Sequence, residues 1–327
     1  MDKNNVQLSD EELLQFRMFQ EQMRGYRQQP VEEEVIEVHL TSKEKRKSSY
    51  VSRTLSNDEY IVSVGLLHIF AYTGAFLFFA ISDKSFTYKS DDACKLDLYL
   101  PDEDGFETIV WFHGGGLENG DKQQAERFVS AIIDAGYGFV SANYRMYTSG
   151  AKFPEFLFDA ASAVAFVKEN IEAYGGQKDK LYISGQSAGA WLSLMLCVND
   201  EYLKSVGIEN KEIAGWVIDS SQTTAHFNVL KYELGADTRV QRINEFAPQY
   251  FVSEKTDFSK MLLIFYENDM CCRYEQNMLF YKSILAFNEQ ANIVYKVLSG
   301  GHCRGSSEPN EDGKYDYVET MLQWLKN

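Results

Sequence analysis

The sequence predicts an α/β fold: a mostly parallel, eight-stranded sheet flanked by helices, with a helical N-terminal extension. Three observations lead there. From Lys84 onward, short runs rich in Val, Ile, Phe and Tyr alternate with longer stretches of helical pattern, which is how repeated βα units read. A length of 327 residues allows one large domain with extensions. A composition 45% hydrophobic and 24% charged supports a buried core and excludes disorder or fibrous repeats as the main theme.

The elements follow in order. Strands are expected at Ser85–Tyr88 and at Lys95–Leu100, the second closed by Pro101, which cannot continue a ladder. Thr108–Phe112 is an apolar strand running into three glycines, and Lys122–Asp134 is the helix after it. Gly138–Ala142 is a strand ending at Asn143-Tyr144-Arg145, followed by a helix over Glu155–Ala173. Lys180–Ser184 and the helix Ala188–Val198 bracket a glycine-rich turn. The remaining strands are Ile213–Ile218, Met261–Tyr266 and Ile293–Leu298, with helices at Tyr274–Phe287 and Tyr315–Lys326. The long interruption at 220–248 is a candidate lid or pocket wall.

The N-terminal quarter differs. Residues 1–59 are polar, with a helical stretch from Ser9 (an N-cap, with Glu12 three residues on) to Arg27. Tyr60–Ser82 then carries no Asp, Glu, Lys or Arg and is long enough to cross a ~30 Å hydrocarbon core as a helix. Lys43, Lys45, Arg46, Lys47 and Arg53 precede it, opposed between 41 and 57 only by Glu44. That bias predicts a membrane anchor at 60–82, with 1–59 cytoplasmic and the domain of 83–327 outside. The alternative is a cytoplasmic protein whose domain covers this stretch.

A formal net charge of −16 repels phosphate backbones, so no nucleic-acid partner is expected. The five cysteines, at 94, 197, 271, 272 and 303, form neither a disulfide framework nor a CxxC pair. Cys271, Cys272 and Cys303 nevertheless fall on loops that the fold brings near one another. A metal site or an inter-loop disulfide is conceivable there, against the plainer expectation of free thiols that fill space.

Gly185-Gln186-Ser187-Ala188-Gly189 fits G-x-S-x-G between a strand and a helix. A serine lifted on so sharp a turn needs small residues two positions either side, and Gly185 and Gly189 supply them. His113-Gly114-Gly115-Gly116 ends the third strand, where a glycine backbone can approach an oxyanion closely. A phosphate cradle is the competing reading, but no G-x-G-x-x-G or GKS/GKT sequence accompanies it, and no cofactor is implied. A serine needs a base. Among the five histidines, His302 alone follows the final strand; His226 is the runner-up base, better suited to lining the pocket. Asp269 follows the strand Met261–Tyr266 and can orient His302, with Glu267 and Asp219 as alternatives.

From about residue 85 to the end, the chain resembles an α/β-hydrolase of the hormone-sensitive-lipase-like carboxylesterase branch. The matching text is IVWFHGGGLENGDK, SANYR, FPEFLFDAASAVAFVKENI, YISGQSAGAWL, the Asp269 loop and GGH. The resemblance implies Ser187 as nucleophile, His302 as general base and then acid, and Asp269 as its partner. It also implies oxyanion donors at Gly115, Gly116 and Ala188. Gln186 departs from the His, Asp or Glu such enzymes often carry, and the first 84 residues match nothing in the family core. The expected function is hydrolysis of short-chain acyl esters, acetylated carbohydrate among them. A serine peptidase of the same fold and a catalytically silent binding protein are the alternatives.

Overall fold

The computed structural model describes residues 84–327. Eight strands form one sheet: β1 (Lys84–Thr87), β2 (Lys95–Tyr99), β3 (Phe106–Phe112), β4 (Gly138–Ala142), β5 (Gly176–Gln186), β6 (Gly215–Asp219), β7 (Met261–Asn268) and β8 (Ile293–Gly301). Their spatial order is β1-β2-β4-β3-β5-β6-β7-β8. β1 and β2 pair antiparallel, as do β2 and β4; every later neighbour is parallel. This is the α/β-hydrolase arrangement that the sequence predicts.

Alternation along the strands sets up two cores. Val110 and Phe112 of β3 face one side with Trp216, Ile218, Leu263 and Phe265, while Ile109 and Trp111 face the other with Val217, Leu262 and Ile264. Helices cover both faces. α1 (Val129–Asp134) and the C-terminal helix Asp316–Leu325 close the Trp111 side. α2 (Glu155–Asn170) and α3 (Ala188–Val198) close the other, and every residue of α3 from Ala188 to Cys197 is buried. A helix that is apolar all round belongs in the middle of a protein, and α3 lies under the sheet's centre.

Several boundaries differ from expectation. The helix expected over Lys122–Asp134 is a 3-10 turn, Lys122–Arg127, followed by α1. The break falls at Phe128, whose φ is −132° and whose ring packs against Trp111, Phe139, Tyr315 and Tyr317. Here tertiary packing overrides local propensity. The helix expected to reach Ala173 ends at Asn170, and a tight turn to Tyr174 stops at Gly175 with φ +90°. Three short helices appear where none was expected: α4 (Glu201–Ser205), and α5 (Phe227–Leu234) and α6 (Pro248–Phe251) inside or at the end of the 220–248 interruption. After α7 (Arg273–Phe287), the turn α8 (Arg304–Ser307) comes straight after His302, and α9 is the C-terminal helix Asp316–Leu325. The proposed anchor at 60–82 lies outside the described residues. Among the described residues, no helix is long and apolar enough to cross a membrane.

From β3 the chain passes to β4 on one side and then crosses to β5 on the other, so the winding reverses between β3 and β5. In open α/β sheets ligands bind beyond the C-terminal strand ends at such a switch point. The loop after β3 carries His113–Gly116, and the turn after β5 carries Ser187.

Beneath that edge sits a buried ion cluster. Asp159 of α2 accepts from Arg145 Nε at 2.7 Å and Nη2 at 2.9 Å, and from Lys89 Nζ at 2.6 Å, with its own side chain fully buried. It ties the β1–β2 connection and the segment after β4 to one helix. Asp159→Ala removes the buried acceptor and leaves Arg145 and Lys89, both partly exposed, to water. It should lower the unfolding free energy by about 1.5–3 kcal/mol, the range for a lost hydrogen bond to a charged group. Urea titration checks this, and a loss below about 1 kcal/mol would contradict a structural role for the cluster.

Candidate active site

Ser187 sits at φ +55°, ψ −111°, a strained conformation for a residue with a side chain. The strain is held from both sides. Its N–H donates to Asp219 O at 2.8 Å, and its carbonyl accepts from Trp191 N at 3.0 Å in the first turn of α3. A Cβ on Gly185 would collide with the backbone of Gly189, and one on Gly189 with the Phe112 carbonyl. Strand β3, strand β5 and α3 therefore approach as closely as glycine alone permits.

His302 follows β8 directly. Its Nε2 lies 2.8 Å from Ser187 Oγ and its Nδ1 lies 2.5 Å from Asp269 Oδ1. Asp269 Oδ1 also accepts from Met270 N at 2.6 Å, and the carboxyl side chain is wholly buried. The three residues that the sequence pointed to are brought into one hydrogen-bonded line. The two alternative acids lie elsewhere. Glu267 is exposed, at a register shift in the β7–β8 ladder between Tyr266 and Asn268. Asp219 is buried and accepts from Ser306 Oγ at 2.5 Å. Burial without a cationic partner in contact pushes its carboxyl up to about 7.

The glycine loop is fixed through its carbonyls. His113 Nδ1 donates to Gly114 O at 2.7 Å. Gly115 O accepts from Glu118 N and Asn119 N, at 3.2 and 3.0 Å. A trans peptide points its N–H opposite its carbonyl, so these bonds aim the N–H groups of Gly115 and Gly116 away from the loop interior. The same argument turns the Ala188 N–H outward, because the Ser187 carbonyl is taken by the helix. His113 is fully buried, and burial lowers its imidazole to about 4, so the ring is neutral. It stacks on Tyr144 with ring centroids 4.5 Å apart, and Tyr144 Oη donates to His113 O at 2.8 Å.

The cleft above these groups has a volume of about 580 Å³, within the range of small-molecule sites. Gly114–Gly116, Ser187 and His302 line it, with Phe227 and Asn228 from α5 and Met270 after β7. The 220–248 interruption contributes Phe227 and Asn228 to this wall, and His226 is not part of it. That ring is buried, stacked on Phe227 at 4.4 Å, and its Nδ1 accepts from Asn228 N at 3.2 Å as the cap of α5. Burial lowers it to about 3, which leaves it neutral and packed rather than facing a substrate.

Four supporting residues escaped sequence reasoning. Asn228 Nδ2 donates to Gly116 O at 2.6 Å, and Ser220 Oγ accepts from Cys303 N at 3.2 Å. Ser306 joins the His302 loop to Asp219, and buried Arg273 donates to Ser220 O at 3.1 Å. All are single polar side chains whose partners lie far off in sequence, with no local pattern to mark them. All five cysteines are free. Cys271 and Cys272 are exposed with sulfurs 3.4 Å apart, and Cys303 is buried, so the structure joins no disulfide between the loops. Among the described residues, no three His, Cys, Asp or Glu side chains are grouped as metal ligands.

The BD-FAE family model matches residues 96–231, from β2 through the glycine loop and Ser187 into α5. Gut esterase 1 of Caenorhabditis briggsae is 33% identical over 42% of this chain and 28% of its own length. A probable isoprenylcysteine α-carbonyl methylesterase of Arabidopsis thaliana is 30% identical over 47% of this chain and 36% of its own. The chain therefore spans about a third of the length of these curated relatives. A propionate-bound esterase of Thermogutta terrifontis superposes with a TM-score of 0.62 at 18% identity, covering 74% of this chain and 93% of that one. A truncated carbohydrate esterase from gut microbiota gives 0.59 at 19% identity, over 75% and 96%. The solved structures share the α/β-hydrolase fold of this chain, and its similarity to the esterases is carried by the stretch that holds the glycine loop and Ser187.

Proposed function

We propose that the protein is a serine carboxylic-ester hydrolase that works through an acyl-enzyme on short acyl esters of polar alcohols, acetylated carbohydrate among them. The observation that carries this reading is the continuous Asp269–His302–Ser187 hydrogen-bonded line opening into the cleft. Asp269 holds the proton of His302 on Nδ1, which leaves Nε2 to accept from Ser187 Oγ. The oxygen attacks the ester carbonyl, and the charge that develops meets the N–H groups of Gly115, Gly116 and Ala188. Collapse expels the alcohol with the proton now on His302, and water repeats the sequence to free the acid. The fold neighbours include a propionate-bound esterase and a carbohydrate esterase, and the reading extends such substrates to this chain.

We also infer that residues 60–82 anchor the protein in a membrane, on the strength of their length, their lack of charge and the basic residues before them. Full-length protein found wholly in the soluble fraction after carbonate washing of membranes, without detergent, would remove this inference.

Ser187→Ala and His302→Ala should each lower turnover of an acetyl ester by about three orders of magnitude or more while the fold persists. Asp269→Asn should cost a similar amount, since the tautomer of His302 is then wrong. Ester and amide panels with fluorophosphonate labelling check this; a folded wild type that resists labelling would sink the hydrolase reading. Asp219→Asn separates the two acids. The Asp219 carboxyl is raised in the fold, so its protonation stabilises the native state at low pH, and that contribution is lost as pH rises towards 7. Relative to wild type, Asp219→Asn should thus gain stability between pH 5 and pH 8, on the order of 2 kcal/mol, and keep most activity. Thermal melts at the two pH values measure the first. An inactive Asp219→Asn beside an active Asp269→Asn would reverse the assignment of the acid.

A further inference from the structure

The cleft that holds Ser187 also holds a cation with nothing to neutralise it. Arg127, the last residue of the 3-10 turn after β3, lines the cleft together with Gln124, Gln186 and Ser307. Among the described residues, no ion pair or hydrogen bond engages its guanidinium. The carboxylate within electrostatic range is Asp219, which is buried and whose ionisation burial opposes. The other charged side chain at the rim, Glu118, is already satisfied by Lys231 Nζ at 2.8 Å and Tyr232 Oη at 2.6 Å. In a protein with a formal net charge of −16, the reaction cleft therefore presents one uncompensated positive group. A second observation points the same way. Gln186 is 5% exposed and lines the cleft; its Nε2 donates to Ser307 Oγ at 3.0 Å, while its Oε1 is buried without a partner. A buried amide oxygen left unpaired is costly, so the side chain gains by rotating to bring Oε1 to a hydroxyl in the cleft.

The side of the cleft can also be assigned. Arg127 lies within electrostatic range of Cys303, the residue after His302, and Gln186 is bonded to Ser307 at the end of α8. Both groups thus flank the histidine loop. His302 returns its proton to the departing oxygen, so the alcohol part of the ester occupies that side.

We propose that Arg127 and Gln186 form the alcohol subsite and select esters whose alcohol carries a carboxylate and free hydroxyls, such as an O-acetylated sugar acid. Arg127 pairs with the carboxylate through two parallel N–H donors, and Gln186 Oε1 accepts from a hydroxyl. The inference rests on the esterase reading and narrows its substrate. The surrounding negative charge repels other anions at long range, so selection depends on this one short-range contact.

The test compares O-acetyl galacturonate with O-acetyl galactose, which differ in the carboxylate alone. The wild type should show a kcat/KM at least tenfold higher for the acidic ester. Arg127→Gln should abolish that preference, mainly through KM for the acidic ester; Arg127→Lys should restore part of it. Equal turnover of the two esters by the wild type, or an equal loss on both in Arg127→Gln, would overturn the proposal. Fluorophosphonate labelling of Ser187 separates this from failure of the underlying reading. A labelled enzyme that galacturonate protects no better than galactose loses the subsite alone, whereas an unlabelled enzyme loses both.

Discussion

Everything at this site depends on how closely β3, β5 and α3 approach. Ser187 stands at φ +55° because the chain must turn from strand to helix within one residue. That turn exists only because Gly185 and Gly189 let α3 lie against the end of β3 with backbone touching backbone. The cost of the strained residue is offset by the buried helix behind it, whose side chains from Ala188 to Cys197 are removed from water. A side chain at either glycine would push α3 away, and both the serine and the Ala188 N–H would move with it.

From that fixed point the remaining parts are positioned by bonds to backbone. The Ser187 N–H is held by the carbonyl of Asp219, at the end of β6, so the turn is tied sideways to the next strand. Asp219 then uses its side chain on Ser306, and its neighbour Ser220 takes the N–H of Cys303. The loop bearing His302 is thus pinned just after the histidine to Asp219, which also holds the serine, and to its neighbour Ser220. Register between Ser187 and His302 is set by this shared anchor as well as by their own 2.8 Å contact. On the other flank, His113 and Asn228 hold the carbonyls of Gly114 and Gly116 in the glycine loop, and Tyr144 holds His113 from the segment that the Asp159 cluster anchors.

What the sequence made legible were the features with local signatures. Glycines flanking a serine between a strand and a helix, a glycine run ending an apolar strand, and a histidine past the last strand each carry their reason within a few residues. The strands were legible for the same cause, since buried alternation leaves a mark at short range. The acid was harder, because Glu267 and Asp269 are two residues apart and strand parity alone puts both on one face. The structure separates them by the irregularity between Tyr266 and Asn268, which leaves Glu267 exposed and lets Asp269 turn in beneath His302. Helix α5 was not legible either. Its moderate apolar face is stabilised by packing on α3 and by the His226 cap, both tertiary, so the surrounding polar text hid it.

Two carboxyl groups close to the serine show how environment divides labour among like residues. Asp269 accepts from a ring nitrogen and a backbone N–H just ahead of α7, with the buried guanidinium of Arg273 attracting it from the same helix. Asp219 meets hydroxyl groups instead, with no cation in contact, and burial favours its neutral form. Such a carboxyl serves the site as a strut: it holds Ser306, and through it the histidine loop, without adding a second negative charge beside the Asp269–His302 pair.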